Sequence, residues 1–185
     1  MVINEKALVR QMKEAYKTYG YTVAVVGKRM MMTNGFWIAS IDMDNVPAAL
    51  LGMLAEHIRD VPKEGQAYKV IKDKEGAYVQ HRIIEEAIAP LVRMAKEKEE
   101  GGYLKMMRRT SLTLAGLQLW QAPESSVMYM IDPRYAALFD DHNEVVRLGT
   151  GIYAEGEISE LWVLRFSDGE LLDKISHLEQ IQWIK

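Results

Sequence analysis

The stretch from Tyr21 to Asp42 constrains the fold more than any other part of the chain. It holds three short runs, Tyr21–Val26, Arg29–Thr33 and Phe36–Asp42, built of β-branched, aromatic and Met residues. Gly27-Lys28 separates the first two runs and Asn34-Gly35 the last two. Asn-Gly between apolar runs is the strongest short hairpin signal, because a type I′ turn needs positive φ at both central positions. The stretch therefore predicts an antiparallel meander.

Helices flank it. Asn4 is a natural N-cap, Ile3 and Leu8 occupy the positions of a hydrophobic staple, and Leu8, Met12 and Ala15/Tyr16 recur at helical spacing up to a closing Gly20. After the meander, Asp44 or Asn45 can cap a second helix with Pro47 in its first turn and Val46, Leu50, Leu51, Leu54 and Ile58 as its buried stripe. Ala67–Lys72 and Gly76–Gln80 read as a further hairpin. A third helix follows, with Ile84, Ile88, Leu91 and Ala95 on one face; Pro90 in its middle predicts a kink or two short helices. Gly101-Gly102 then divides the chain, which reads as one α+β domain over residues 1–185 with the alternative of two subdomains, 1–100 and 103–185.

The second half reads mostly as strand. Tyr103–Arg109 and Leu112–Trp120 alternate, with a phase slip at Gly116 that a bulge would explain. Ser126–Asp132, Glu144–Tyr153 and Glu160–Phe166 are strands, and Pro133 opens a short helix through Phe139. Leu161, Trp162, Val163 and Leu164 are apolar without alternation, as in a strand covered on both faces. At the C-terminus, Ser167 and Glu170 form a capping box ahead of Leu171, Leu172, Ile175, Leu178 and Ile181 at helical spacing, which favours a helix over a hairpin at Asp168-Gly169. The expected fold is α+β, mainly antiparallel, with helices packed on one side. Ile41-Asp42 and Ile131-Asp132 each lead past a Pro to a small-residue helix start, a short self-similarity that leaves two related modules open.

Composition removes several function classes. A chain of 185 residues with 49% hydrophobic and 26% charged residues can bury a core and is not disordered. The absence of Cys excludes disulfides, thiolate zinc and a cysteine nucleophile, and fits a reducing, cytoplasmic setting. No apolar run is long enough to span a membrane, and the charged N-terminus is unlike a signal peptide.

Catalytic and metal-binding patterns are thin. Gly149-Thr-Gly151 with Gly156 does not fit a dinucleotide fingerprint, and Gly27-Lys28 lacks the rest of a phosphate-binding loop. Asp42 and Asp44 read as a strand end and a helix cap. Asp140, Asp141, His142 and Glu144 could in principle hold a divalent ion but read as a solvated loop. His57, His81, His142 and His177 form no metal-binding spacing, and Ser111, Ser125 and Ser126 lie in no nucleophile-elbow context. No catalytic residue, metal ligand or cofactor is expected.

Charge is distributed unevenly. From Arg93 to Arg109 six basic residues, Arg93, Lys96, Lys98, Lys105, Arg108 and Arg109, stand against three acidic ones. From Glu124 to Glu160 eight acidic residues stand against two basic ones. Such asymmetry can steer a polyanion to one face of a chain whose net charge is −3. The bland alternative is a solvated helix end and a charged edge strand.

The element Tyr129-Met-Ile-Asp132-Pro-Arg-Tyr135-Ala-Ala-Leu138-Phe139, followed by two long strands through Phe166, resembles the strand–helix–strand order of DNA sliding-clamp domains. The similar run at Ile41–Leu51 suits their modular build; the long first helix and the capping-box terminus depart from it. The resemblance implies a non-catalytic protein that encircles duplex DNA and tethers partners, and it carries no functional residue onto this chain. The resulting expectation is a non-enzymatic binding or scaffold protein acting near DNA through Lys105, Arg108 and Arg109, supported by Arg93, Lys96 and Lys98. A protein–protein adaptor without nucleic acid, or an enzyme with an unrecognised acidic site, are the alternatives. Partner identity and oligomeric state are not legible.

Overall fold

The computed structural model describes residues 1–101, 105–123, 128–141 and 144–166. The C-terminal capping box and helix, and with them Tyr103, Ser125, Ser126, His142 and His177, lie outside the described residues. Eight strands form one antiparallel sheet: β1 (Tyr21–Val26), β2 (Arg29–Thr33), β3 (Trp37–Asp42), β4 (Ala67–Lys72), β5 (Ala77–His81), β9 (Val146–Leu148), β10 (Gly151–Glu155) and β11 (Ser159–Leu164). Their order is β5-β4-β1-β2-β3-β11-β10-β9. A second antiparallel sheet is built of β6 (Arg108–Leu114), β7 (Leu117–Gln121) and β8 (Met128–Ile131). The helices are α1 (Glu5–Lys17), α2 (Ala48–Ile58), α3 (Ile84–Glu100) and the single turn α4 (Pro133–Ala136). The protein is α+β, with mainly antiparallel sheets, as the hairpin signals predict.

The meander forms with Val26 opposite Arg29 and Thr33 opposite Ile38. Its two turns differ. Gly27 and Lys28 both have positive φ, so this turn has the primed geometry that matches strand twist. At the second, Gly35 alone has positive φ. Asn34 instead organises the loop through its side chain, accepting hydrogen bonds from the Phe36 and Trp37 amides at 2.9 and 3.3 Å. The hairpin is the expected one, but an Asx turn replaces the type I′ turn.

Strand alternation divides the core in two. Val23, Val25, Met30, Met32, Ala39, Ile41, Leu161 and Val163 face one side, where α1, α2 and residues of the small sheet complete the larger core. Ala24, Met31, Ile38, Tyr153 and Trp162 face the other, under α3. The expectation of helices on one side holds for α1 and α2; α3 covers the opposite face, because its stripe Ile84, Ala87, Ile88, Leu91 and Met94 needs a partner that the first face no longer offers. β11 lies between the two layers, with Leu161 and Val163 in one core and Trp162 in the other, which explains its unbroken apolar run.

Helix ends follow local chemistry. Asn4 caps α1 by accepting from the Ala7 amide at 3.1 Å. Gly20 closes it, its amide donating to Ala15 at 2.7 Å; with φ of +80° and the Val70 carbonyl 2.6 Å from where a Cβ would stand, no other residue fits. α2 departs from expectation: Pro47 is its N-cap, while Asp44 and Asn45 belong to a preceding 3₁₀ turn, Met43–Asn45. α3 is one continuous helix with Pro90 inside it rather than two short ones.

Two other boundaries are corrections. The phase slip at Gly116 is a chain reversal and not a bulge: Ala115 and Gly116 both have positive φ, and Leu114 pairs with Leu117. The irregularity in that hairpin falls between Arg109 and Thr113. Likewise the run Glu144–Tyr153 is two strands, folded back at Gly149-Thr150 so that Leu148 faces Gly151. Among the described residues no helix is long and apolar enough to cross a membrane.

Candidate functional site

The six basic candidates fall in two places. Arg93, Lys96 and Lys98 lie on α3, and each already has an acidic neighbour. Arg93 Nε is 3.9 Å from Glu97 and Lys96 Nζ 3.6 Å from Glu100, both on the next turn of the helix. Lys98 points back to the sheet, where its ammonium donates to the Tyr153 hydroxyl at 2.9 Å and to both oxygens of Glu155 at 3.0 Å. Glu160, 3.9 Å from Lys98, also lies 3.6 Å from Arg29, whose guanidinium donates to Ser40. Burial, reinforced by the Glu160 and Glu155 carboxylates, pushes the Tyr153 hydroxyl well above the usual phenol range. This network ties the end of α3 to the sheet.

Lys105, Arg108 and Arg109 lie where the chain crosses from the edge of the large sheet into the small one. Met106 bridges Val146 on β9, and β6 begins two residues later. All three basic side chains are exposed. Arg109 Nε donates to Gln118 Oε1 at 3.1 Å. Lys105 and Arg108 have no ion-pair partner among the described residues. Buried Met107 and Thr110 anchor the segment on either side, the Thr110 hydroxyl donating to the Leu119 carbonyl at 3.0 Å.

The crossing borders a cavity of about 430 Å³. Arg108 and Arg109, the carboxylates Asp140, Asp141 and Glu144, and the rings of Trp120 and Phe139 line it together. The structure thus brings Arg108 and Arg109 to the same cavity as Asp140, Asp141 and Glu144, far apart though they are in sequence. Among the described residues the carboxylates do not gather, three or more together, into a group able to hold a metal ion. Opposite charges lining one cavity are suited to holding a partner that carries both signs, or to holding each other.

A second cleft, about 550 Å³, has no counterpart in the sequence patterns. Phe36 stacks on Tyr135 with 5.6 Å between ring centres, Tyr19 meets Phe36 edge-on, and the Tyr19 and Tyr135 hydroxyls are 3.1 Å apart. Phe36 is 50% and Phe166 47% exposed. Arg134, bound to Asp132 and Glu14, forms its polar rim. These rings come from a helix end, a turn, a short helix and a strand end, so no periodicity could have announced them. Arg147 was missed for another reason. It lies in the most acidic stretch of the chain, yet its backbone pairs with that of Lys105.

No protein-family model matches the chain, and no curated protein matches it. Among solved structures it is similar to the beta subunit from the DNA polymerase of Streptococcus pyogenes, at 11% sequence identity and a TM-score of 0.36. The match covers 92% of this chain and 66% of that one. This is a weak resemblance at the level of the fold, without a family assignment, and it assigns no role to any residue here.

Proposed function

We propose that the protein is a non-enzymatic binding or scaffold protein that meets nucleic acid through the cationic surface around Lys105 and Arg108. The observation that carries this reading is their exposure without an ion-pair partner among the described residues, in a protein that pairs the basic residues of α3 with carboxylates. Arg109 adds its charge from the same strand; Arg93, Lys96 and Lys98 contribute at shorter range, weakened by Glu97, Glu100 and Glu155. Residues 1–185 are read as a single unit rather than as subdomains 1–100 and 103–185, a reading supported by the pairing of β3 with β11 across that division. A cytoplasmic setting accords with the absence of Cys. The adaptor reading is second, favoured by the exposed aromatic cleft at Phe36 and Tyr135.

Fluorescence anisotropy with labelled single- and double-stranded oligonucleotides, across a range of salt, tests the proposal. Binding should be no tighter than roughly micromolar at physiological salt and should weaken steeply as salt rises. Replacing Lys105 and Arg108 together by Glu should weaken binding and flatten its salt slope while leaving the melting temperature nearly unchanged. Absence of salt-sensitive binding at low ionic strength would place the adaptor reading first.

A further inference from the structure

The Gly149-Thr150 turn between β9 and β10 is ringed by cations from four separate parts of the chain. The Lys105–Met107 segment runs antiparallel to β9: the Met107 amide donates to Val145 at 2.7 Å, and the Arg147 amide to Lys105 at 2.8 Å. This pattern sets Lys105 directly opposite Arg147, with both side chains on the same face. Like charges so placed repel, and neither has an ion-pair partner among the described residues. Arg165 crosses the turn from the other direction. Its amide donates to the Thr150 carbonyl at 2.9 Å, and its guanidinium lies 5.0 Å from the centre of the Tyr129 ring. The Tyr129 hydroxyl donates to the Gly149 carbonyl at 2.6 Å, so the ring that carries Arg165 is itself fixed to the turn. From α3, Arg93 brings Nη2 to 3.4 Å from Thr150 Oγ1.

A carboxylate, that of Glu97, packs against the turn, its oxygens lying over Gly149 where a Cβ would stand, 3.9 Å from Arg93. Arg147 and Arg165 both lie close enough to the Tyr129 hydroxyl to oppose the upward shift that burial gives it. Tyr129 is only 3% exposed, so the rings beneath this surface are closed to base stacking.

We propose that this turn grips the phosphodiester backbone of a nucleic-acid strand, with Arg147 and Arg165 as the principal contacts and Lys105 and Arg93 beside them. The inference rests on the reading of the protein as a nucleic-acid binder and moves the centre of contact from β6 to the β9–β10 turn. Guanidinium groups bind phosphate oxygens through paired hydrogen bonds, and Arg165, held over a ring, loses little freedom in doing so. With phosphates as the targets, binding is indifferent to base sequence.

The test is anisotropy on the full chain at about 50 mM salt and upward, comparing wild type, Arg147→Gln/Arg165→Gln, Lys105→Glu/Arg108→Glu and Glu97→Gln. The arginine pair should cost about tenfold in affinity and lower the salt slope by about 1.4 on single strands or 1.8 on duplex, two phosphate contacts' worth. Glu97→Gln should tighten binding, a gain that misfolding cannot imitate, and Arg147→Gln alone serves if the pair lowers the melting temperature. If wild type binds, the arginine pair keeps its affinity and slope, and Lys105→Glu/Arg108→Glu loses them, the site is confined to residues 105–109: this inference falls and the functional reading stands. If wild type shows no salt-sensitive binding, both fall.

Discussion

Burial sets the chemistry of His57 before any charged neighbour does. The ring is 9% exposed on the inner face of α2, stacked on Tyr16 at 3.8 Å between ring centres, with Nδ1 3.0 Å from the Tyr21 hydroxyl. Desolvation lowers its pKa; Glu56 opposes the shift and Lys13 adds to it. A folded-state value below that of the unfolded chain means that the native state favours the neutral imidazole. The associated stability is therefore complete above the ordinary imidazole pKa and is lost as pH falls through the lower folded value. The melting temperature should fall as pH drops below about 6.5. His57→Gln should flatten that fall, and an unchanged pH profile in the variant would show that His57 is not its source. Elsewhere single residues decide geometry: Asn34 shapes its turn with a side chain, whereas Gly20 is required because a carbonyl fills the space of a side chain.

At the scale of the element, α3 shows how packing overrides local preference. Pro90 lacks the amide that would bond the Glu86 carbonyl, and inside a helix that loss together with the ring clash typically costs about 3 kcal/mol. The helix nevertheless runs unbroken from Ile84 to Glu100, held by Ala87 and Met94 in the core and by Lys98 on Tyr153 and Glu155. Pro90→Ala should raise stability by about 1–2 kcal/mol, part of the gain being offset by a freer unfolded chain. Chemical denaturation reads this directly, and a loss of stability would mean that the proline ring itself packs to advantage. The hairpins tell the converse story. Gly27-Lys28 and Ala115-Gly116 both place two consecutive residues at positive φ; Asn34-Gly35 carries the strongest turn signal in the sequence, yet that turn takes another form. Ala at positive φ is not a pattern that propensity can supply.

At the scale of the molecule, the pairing of β3 with β11 decides the architecture. Ala39 faces Leu161 and Ile38 faces Trp162, so strands from the two halves lie side by side at the centre of the large sheet. A fragment ending at Gly101 would leave the β3 edge unpaired and uncover Trp37, Ala39 and Ile41. Such a fragment should aggregate or unfold without a cooperative transition; a soluble fragment with a sharp melt would instead restore the two-subdomain reading. A separate pairing, of β9 with the Lys105–Met107 segment, sets Arg147 opposite Lys105.

The sequence alone specified the meander, the N-cap of α1, the start of α4 at Pro133, the two-sided burial of β11, and the buried stripe of α3 except at its last position, where Met94 is buried and Ala95 exposed. Each of these follows from interactions among residues close in the chain, or from a periodicity that one element carries alone. It also identified the charge asymmetry and the exposed basic residues of β6. Packing between remote segments settled which face α3 would cover, which strands of the two halves would pair, and which charges would be neutralised. Lys98 reads as a free helical cation until β10 and β11 bring Glu155 and Glu160 beneath it, and Arg147 reads as part of an acidic segment until Lys105 lies opposite. Charge acts through space, and the distances that govern it are set by strand pairings remote in sequence.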